Sequence, residues 1–194
     1  MEKVLVVPTS TLASYLGNKS FINESIEDIV HVIEKEHLYV DRDYAEYAKE
    51  YKQIIPYVIL TDGRNIFLTQ RLKAQTEKRL HGKCSIGLGG HINPSEESTS
   101  DVILEGMKRE LYEEVGLENI IKQKCVGIIN DLSTDVSNYH IGLVYFLHVS
   151  SNVQVKETNK MTGKWASAEE ISDVYDYLES WSQIAWENKN LWNH

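Results

Sequence analysis

Apolar residues along this chain follow two rhythms, and the switches between them mark the elements. Alternation and short apolar runs predict strands at residues 4–7, 57–61, 66–70, 126–130 and 140–149, with a further strand around Trp165 at 164–166. The Asp62-Gly63 pair between the second and third of these predicts a hairpin turn. A three-to-four residue rhythm predicts helices instead. Ser25, with Asp28 three positions on, reads as a capping box that opens a helix running to Glu36. Ser167 opens another helical region, where Leu178, Trp181, Ile184 and Ala185 form an apolar stripe suited to core packing or a dimer contact rather than to a ligand. Residues 41–53, polar and rich in tyrosine, fit helix and strand equally. Strands before, between and after helical segments predict an α/β sandwich with a mixed β-sheet and helices on both faces.

The most informative periodic segment is a helix expected between Asp101 and Gly116. The run from Ser98 to Asp101 supplies helix-start chemistry, and Gly116 a stop. Leu104, Met107, Leu111 and Val115 form one apolar face that would pack on the sheet. Gly106, inside this helix, costs about 1 kcal/mol relative to Ala and so predicts a close approach to a neighbouring loop. On the other side, Glu110, Glu113 and Glu114 stand at i, i+3 and i+4 and converge on a single patch. Like charges at that spacing repel by a few tenths of a kcal/mol per pair. Either the patch is an ordinary solvated face, or a hard divalent cation neutralises it.

Composition narrows the choice. At 194 residues and 42% apolar content, the chain has material for one domain of ordinary size plus an extension. A net charge of −9 argues against a protein that coats nucleic acid, because that binding runs on Lys and Arg neutralising phosphates. A phosphate-bearing small molecule fits better. Locally the balance reverses: Arg71, Lys73, Lys78, Arg79, His81 and Lys83 are diluted only by Glu77, as a solvated loop or a phosphate-steering patch would be. Cys84 and Cys125 lack CxxC spacing and are too few for a disulfide framework, so a reducing cytoplasm is expected. The N-terminal apolar run is broken by Pro8 and does not read as a signal peptide. No apolar stretch approaches the roughly twenty residues that span a bilayer.

Residues 109–117, RELYEEVGL, resemble the second half of the Nudix box at every specified position. The first half of that box begins with Gly, five residues and Glu, which Gly90 to Glu96 match, preceded by Gly89. In the family pattern the arginine comes eight residues after that Glu, whereas Arg109 comes thirteen after Glu96, so five residues are inserted. A second register uses Asp101 but places Ser95 where the glycine belongs, and the partner of Arg109 stays open among Glu96, Glu97 and Asp101. Outside the box, YKQIIPY at 51–57 and SIGLGGHI at 85–92 are similar to bacterial and phage Nudix proteins described as phosphoesterases. The resemblance extends from about Gln53 to Glu170.

This resemblance implies an α/β/α architecture and hydrolysis of a nucleoside diphosphate linked to another group. It implies Mg²⁺ or Mn²⁺ held by Glu110, Glu113 and Glu114, with Arg109 tying the Gly90 loop to the helix as a structural ion pair. Later-loop carboxylates, Glu157 and Glu169, are candidates for the base. Arg71, Arg79, His91, His140 and Glu157 are candidate substrate contacts. The expected organisation is an N-terminal extension at 1–50 packed on a hydrolase domain at 51–194, the extension serving as a cap or a homodimer element. The expected partner is a small nucleotide-derived diphosphate, with neither nucleic acid nor membrane. Two alternatives remain. An isopentenyl-diphosphate-isomerase-like enzyme would need a cysteine where Gly89 precedes Gly90-His91, and a non-catalytic nucleotide-sensing module would be signalled by lost box glutamates, of which none is lost.

Overall fold

The computed structural model describes residues 2–72, 82–94, 101–117, 119–134, 137–150 and 152–192. In chain order its elements are β1 (Lys3–Pro8), α1 (Thr9–Leu16), β2 (Phe21–Ile22), α2 (Ile26–Glu36), β3 (Leu38–Asp41), α3 (Arg42–Ala45), β4 (Tyr51–Thr61), β5 (Ile66–Arg71) and β6 (Cys84–Ser85). They continue with α4 (Val102–Val115), β7 (Ile120–Ile129), β8 (His140–Val149), β9 (Met161–Ala166), α5 (Ala168–Asp173) and α6 (Ser180–Glu187).

The strands form one mixed sheet in the order β2-β7-β8-β4-β1-β3, with β5 joining β4 and carrying β6 and β9 on its own edges. β4 and β8 pair in parallel from Gln53 opposite His140 to Thr61 opposite His148, and the other pairs are antiparallel. Because both faces of the sheet are covered, β4 is buried along nearly its whole length. Its side chains sort by parity: Ile54, Val58 and Leu60 enter the core shared with α1, α2 and α4, while Tyr57 and Ile59 enter the core shared with α5 and α6. The sheet is thus the middle layer of an α/β/α sandwich.

The edge of β4 opposite β8 is shared by several neighbours. β1 pairs only at Tyr51 to Gln53, Leu88 bridges to Val58, and β5 joins at Thr61. Pro56, which has no N–H to offer, falls between the first two of these contacts. The segment 86–92 fills that gap, and Gly89 lies so close that a Cβ there would stand 1.9 Å from the Pro56 carbonyl oxygen. Gly89 is therefore dictated by the splayed edge of β4.

Several local expectations change. Helix α2 forms as read, but Ser25 sits in the left-handed region (φ 51°) and makes no side-chain cap, so the capping box is absent and the helix rests on burial of Ile29 and Ile33. The ambiguous stretch at 41–53 is both things: the end of β3, the one-turn helix α3, and the start of β4. β7 begins at Ile120, six residues earlier than its apolar run, because its first half is a solvent-facing edge without alternation. The C-terminal stripe packs as core, with Leu178 and Ala185 buried and Trp181 and Ile184 partly so. Ser167 opens α5 as read, and it does so through a capping box with Glu170 as the reciprocal partner. Both cysteines are free thiols. No helix among the described residues is long and apolar enough to cross a membrane.

Candidate active site

Helix α4 delivers the acidic patch. Asp101 accepts a hydrogen bond from Leu104 N at 2.8 Å and so caps the N-terminus, while Gly116 closes the C-terminus in the left-handed conformation. Val102, Ile103, Met107, Leu111 and Val115 are buried in the core, so the helix cannot roll about its axis. Gly106 meets the loop as its position predicted: a Cβ there would stand 2.8 Å from Ile92 Cγ1.

The three glutamates then fall into different surroundings. Glu114 is half-buried with its Oε2 shut off from solvent and without a hydrogen-bond partner, and burial followed by the neighbouring Glu110 charge pushes its carboxyl up to about 7, against an opposing pull from Arg71. Glu110 is 16% exposed and lies 2.9 Å from Arg109 Nη2. Glu113 is 56% exposed and pairs with Arg109 Nη1 at 3.2 Å. Arg109 Nη2 also donates to His91 O at 2.7 Å and Asn93 Oδ1 at 2.9 Å. Arg109 thus joins the box loop to the helix by hydrogen bonds, while its ion pairs run to Glu110 and Glu113 on its own helix. Asp101 is engaged as the helix cap, and Glu96 and Glu97 lie outside the described residues.

Glu114 opens onto a cavity of about 160 Å³ lined by Tyr57, Thr69, Arg71, Ser85, Glu179 and Trp181 among others. Arg71 Nε is 2.8 Å from Glu179 Oε1 on its wall. At its back, Tyr57 Oη and Ser182 Oγ are 2.7 Å apart, and Ser182 Oγ accepts from Ile86 N. Gly87 and Gly90 allow this closeness. A Cβ on Gly87 would overlap the Tyr57 ring, and one on Gly90 would stand 2.4 Å from Glu110 Oε2.

The remaining candidates are scattered. His91 and His140 stand edge to face, ring centroids 5.8 Å apart, and His91 donates through Nε2 to Gln53 Oε1 at 2.8 Å, since an amide oxygen only accepts. Neither histidine lines the Glu114 cavity. Burial above all holds His91 down to about 3, so its ring is neutral. Glu157 pairs with Lys160, in a loop whose Lys156 N donates to Glu114 O at 2.8 Å, and its charge reaches Glu114. Glu169 lies in the exposed first turn of α5. Arg79, with Lys73, Lys78 and His81, lies outside the described residues. Sequence reasoning missed Tyr57, Ser85, Glu179 and Asn93. It also took Trp181 for packing alone, because an aromatic on an apolar stripe carries no mark of facing a cavity.

Among the described residues, no three His, Cys, Asp or Glu side chains are gathered as a ready set of metal ligands. The fit to a cation rests on Glu114 and Glu110. A buried carboxylate oxygen without a partner, next to a second carboxylate, is a site a divalent cation would relieve. Hard cations such as Mg²⁺ commonly take one or two carboxylates, then substrate phosphate oxygens and waters.

A family model for the NUDIX domain matches residues 52–186. Protein YmaB of Bacillus subtilis (strain 168) is 37% identical over 167 residues, 82% of this chain and 81% of that protein. The crystal structure of Tm1382, a candidate Nudix hydrolase, matches with a TM-score of 0.85 at 29% identity, covering 97% of this chain and 98% of that one. The NUDIX domain of Shewanella oneidensis NrtR, solved with ADP ribose, matches in fold with a TM-score of 0.55 at 16% identity, over 78% of this chain and 97% of that one.

Proposed function

Because the chain belongs to the Nudix family and is a hydrolase acting on phosphoric anhydrides, we propose that it cleaves the pyrophosphate bond of a nucleoside diphosphate linked to another moiety, with Mg²⁺ or Mn²⁺ as cofactor. The observation that carries this reading is the buried, unpartnered oxygen of Glu114 beside Glu110, at the mouth of a cavity that also holds the Arg71 guanidinium.

Glu114 and Glu110 would hold the cation, with Glu113 the third carboxylate of the set, kept at the rim by Arg109. When bound, the cation screens phosphate charge and lowers the pKa of the attacking water. Arg71, aimed by Glu179, supplies a fixed positive charge to the anhydride oxygens, preorganised by its ion pair. Water attacks one phosphorus, the P–O bond to the bridging oxygen breaks, and the proton passes to a carboxylate. Glu157 fills that role best among the later-loop carboxylates, because its charge reaches Glu114 while Glu169 stands on exposed α5. Arg109 touches no substrate. It fixes the loop and the helix relative to each other.

The test is a product assay on purified protein with Mg²⁺ or Mn²⁺ against NTPs, ADP-ribose, NADH, dinucleoside polyphosphates and nucleotide sugars. Release of phosphate-containing products from at least one compound is expected. Complete inactivity across the panel would favour a nucleotide-sensing module.

A further inference from the structure

Strand β1 lies outside the matched family region, yet its backbone reaches the box loop at two points. Leu5 N donates to Ile92 O at 2.8 Å, and Asn93 Nδ2 donates to Lys3 O at 2.9 Å. The same Asn93 side chain accepts from Arg109 Nη2 through Oδ1 at 2.9 Å. One amide thus bridges the first strand of the chain to the arginine that lies against Glu110 at 2.9 Å and Glu113 at 3.2 Å. Both amide groups are used at once, which fixes the orientation of the side chain.

The rest of the loop is pinned as tightly. Ile92 is fully buried against Gly106, and His91 is held by the fully buried Gln53. Gly90 leaves no room beyond a hydrogen next to Glu110 Oε2. The position of the Glu110 carboxylate is therefore set by a loop whose far side is anchored on β1 and β4, and Asn93 is where that anchor meets Arg109. Only a short side chain carrying both a donor and an acceptor does this, and Asn is the residue present.

We infer that Asn93 is a positioning residue which couples β1 to Arg109 and so sets where Glu110 stands, making the N-terminal strand part of the catalytic apparatus. The inference rests on the metal-dependent reading above. Groups that orient a metal's carboxylates without touching the metal typically change affinity or activity by about 10–100-fold when removed.

The test compares wild-type protein with Asn93→Leu and Asn93→Asp, following free Mn²⁺ by its paramagnetic resonance signal together with kcat, KM and the thermal midpoint. Asn93→Leu loses the contacts to Arg109 and Lys3, with the longer one to Glu2 Oε1 at 3.4 Å, and is expected to bind Mn²⁺ about tenfold more weakly or worse, with kcat lowered and KM little changed. Asn93→Asp keeps an oxygen for Arg109 and loses the donor to Lys3, so it should fall between the two, and it decides the matter if the leucine variant does not fold. Wild-type affinity in Asn93→Leu overturns the inference. Wild-type affinity in Asn93→Asp removes the part played by β1. Wild-type protein that binds no Mn²⁺ removes the metal reading and this inference with it.

Discussion

Glu113 and Glu114 are neighbours in sequence and chemically identical, and the fold assigns them to opposite environments. Glu114 turns into a cavity lined also by Gly89, where its carboxyl is pushed up to about 7 and one oxygen has no partner. Glu113 stays at the rim, more than half exposed, in an ion pair with Arg109. A charge that water screens contributes little, whereas the same charge desolvated beside another carboxylate is a strong attractor for a cation. On the proposed reading the cavity side of α4 carries the chemistry, and the rim side holds the helix to its loop.

The largest expected effect tests the dry side. Glu114→Gln should lower kcat/KM by about a thousandfold, as loss of a group acting in the transition state does, while the thermal midpoint without metal rises because a buried unpartnered charge is gone. Unchanged turnover would erase the distinction between the two glutamates. Next is Glu157→Gln, expected to lower kcat by about a hundredfold at saturating substrate, the loss that goes with removing the group that takes the water proton. An unchanged kcat would return Glu157 to the surface pair it makes with Lys160.

Loop anchorage can be read through pH. His91 is depressed to about 3 in the folded protein, against about 6.5 in an unfolded chain. Its contribution to stability is therefore fully present above pH 6.5 and is lost as pH falls from there toward 3, amounting to about 2 kcal/mol by pH 5. Denaturant midpoints at pH 7 and pH 5 should show this slope in the wild type and a flatter one in His91→Asn. Equal slopes would mean that other groups dominate acid unfolding. The smallest effect belongs to the rim: Glu113→Gln should reduce turnover by only about tenfold, near 1.4 kcal/mol. A loss matching that of Glu114→Gln in the same assay would break the comparison, making Glu113 an equal ligand in spite of its exposure.

Much of this was legible in the chain. The Asp62-Gly63 hairpin, β8, the Asp101 and Gly116 caps and the apolar underside of α4 all follow local rules, and local rules survive folding when tertiary packing agrees with them. Gly106 even disclosed a close contact, because an unfavourable residue inside a helix asks for a reason. Ser25 misled because the capping-box spacing to Asp28 is present while its backbone adopts the left-handed conformation. Glu179, Ser85 and Asn93 were invisible for a different reason. Polar residues on separate elements converge only when β6, α6 and the box loop are packed, and no spacing along the chain encodes that meeting.

By itself, the sequence determined the helix that carries three carboxylates and the arginine beside them, because periodicity of side chains on one helix is a property of the chain alone, while the reaction class came from the resemblance of residues 109–117 to the Nudix box. The tertiary structure decided which carboxylate is dry and which is wet, that Arg71 and Trp181 face Glu114, and that β1 reaches the box loop through Asn93. Desolvation and long-range hydrogen bonding depend on what lies on the other side of a residue. Only the folded sheet puts it there.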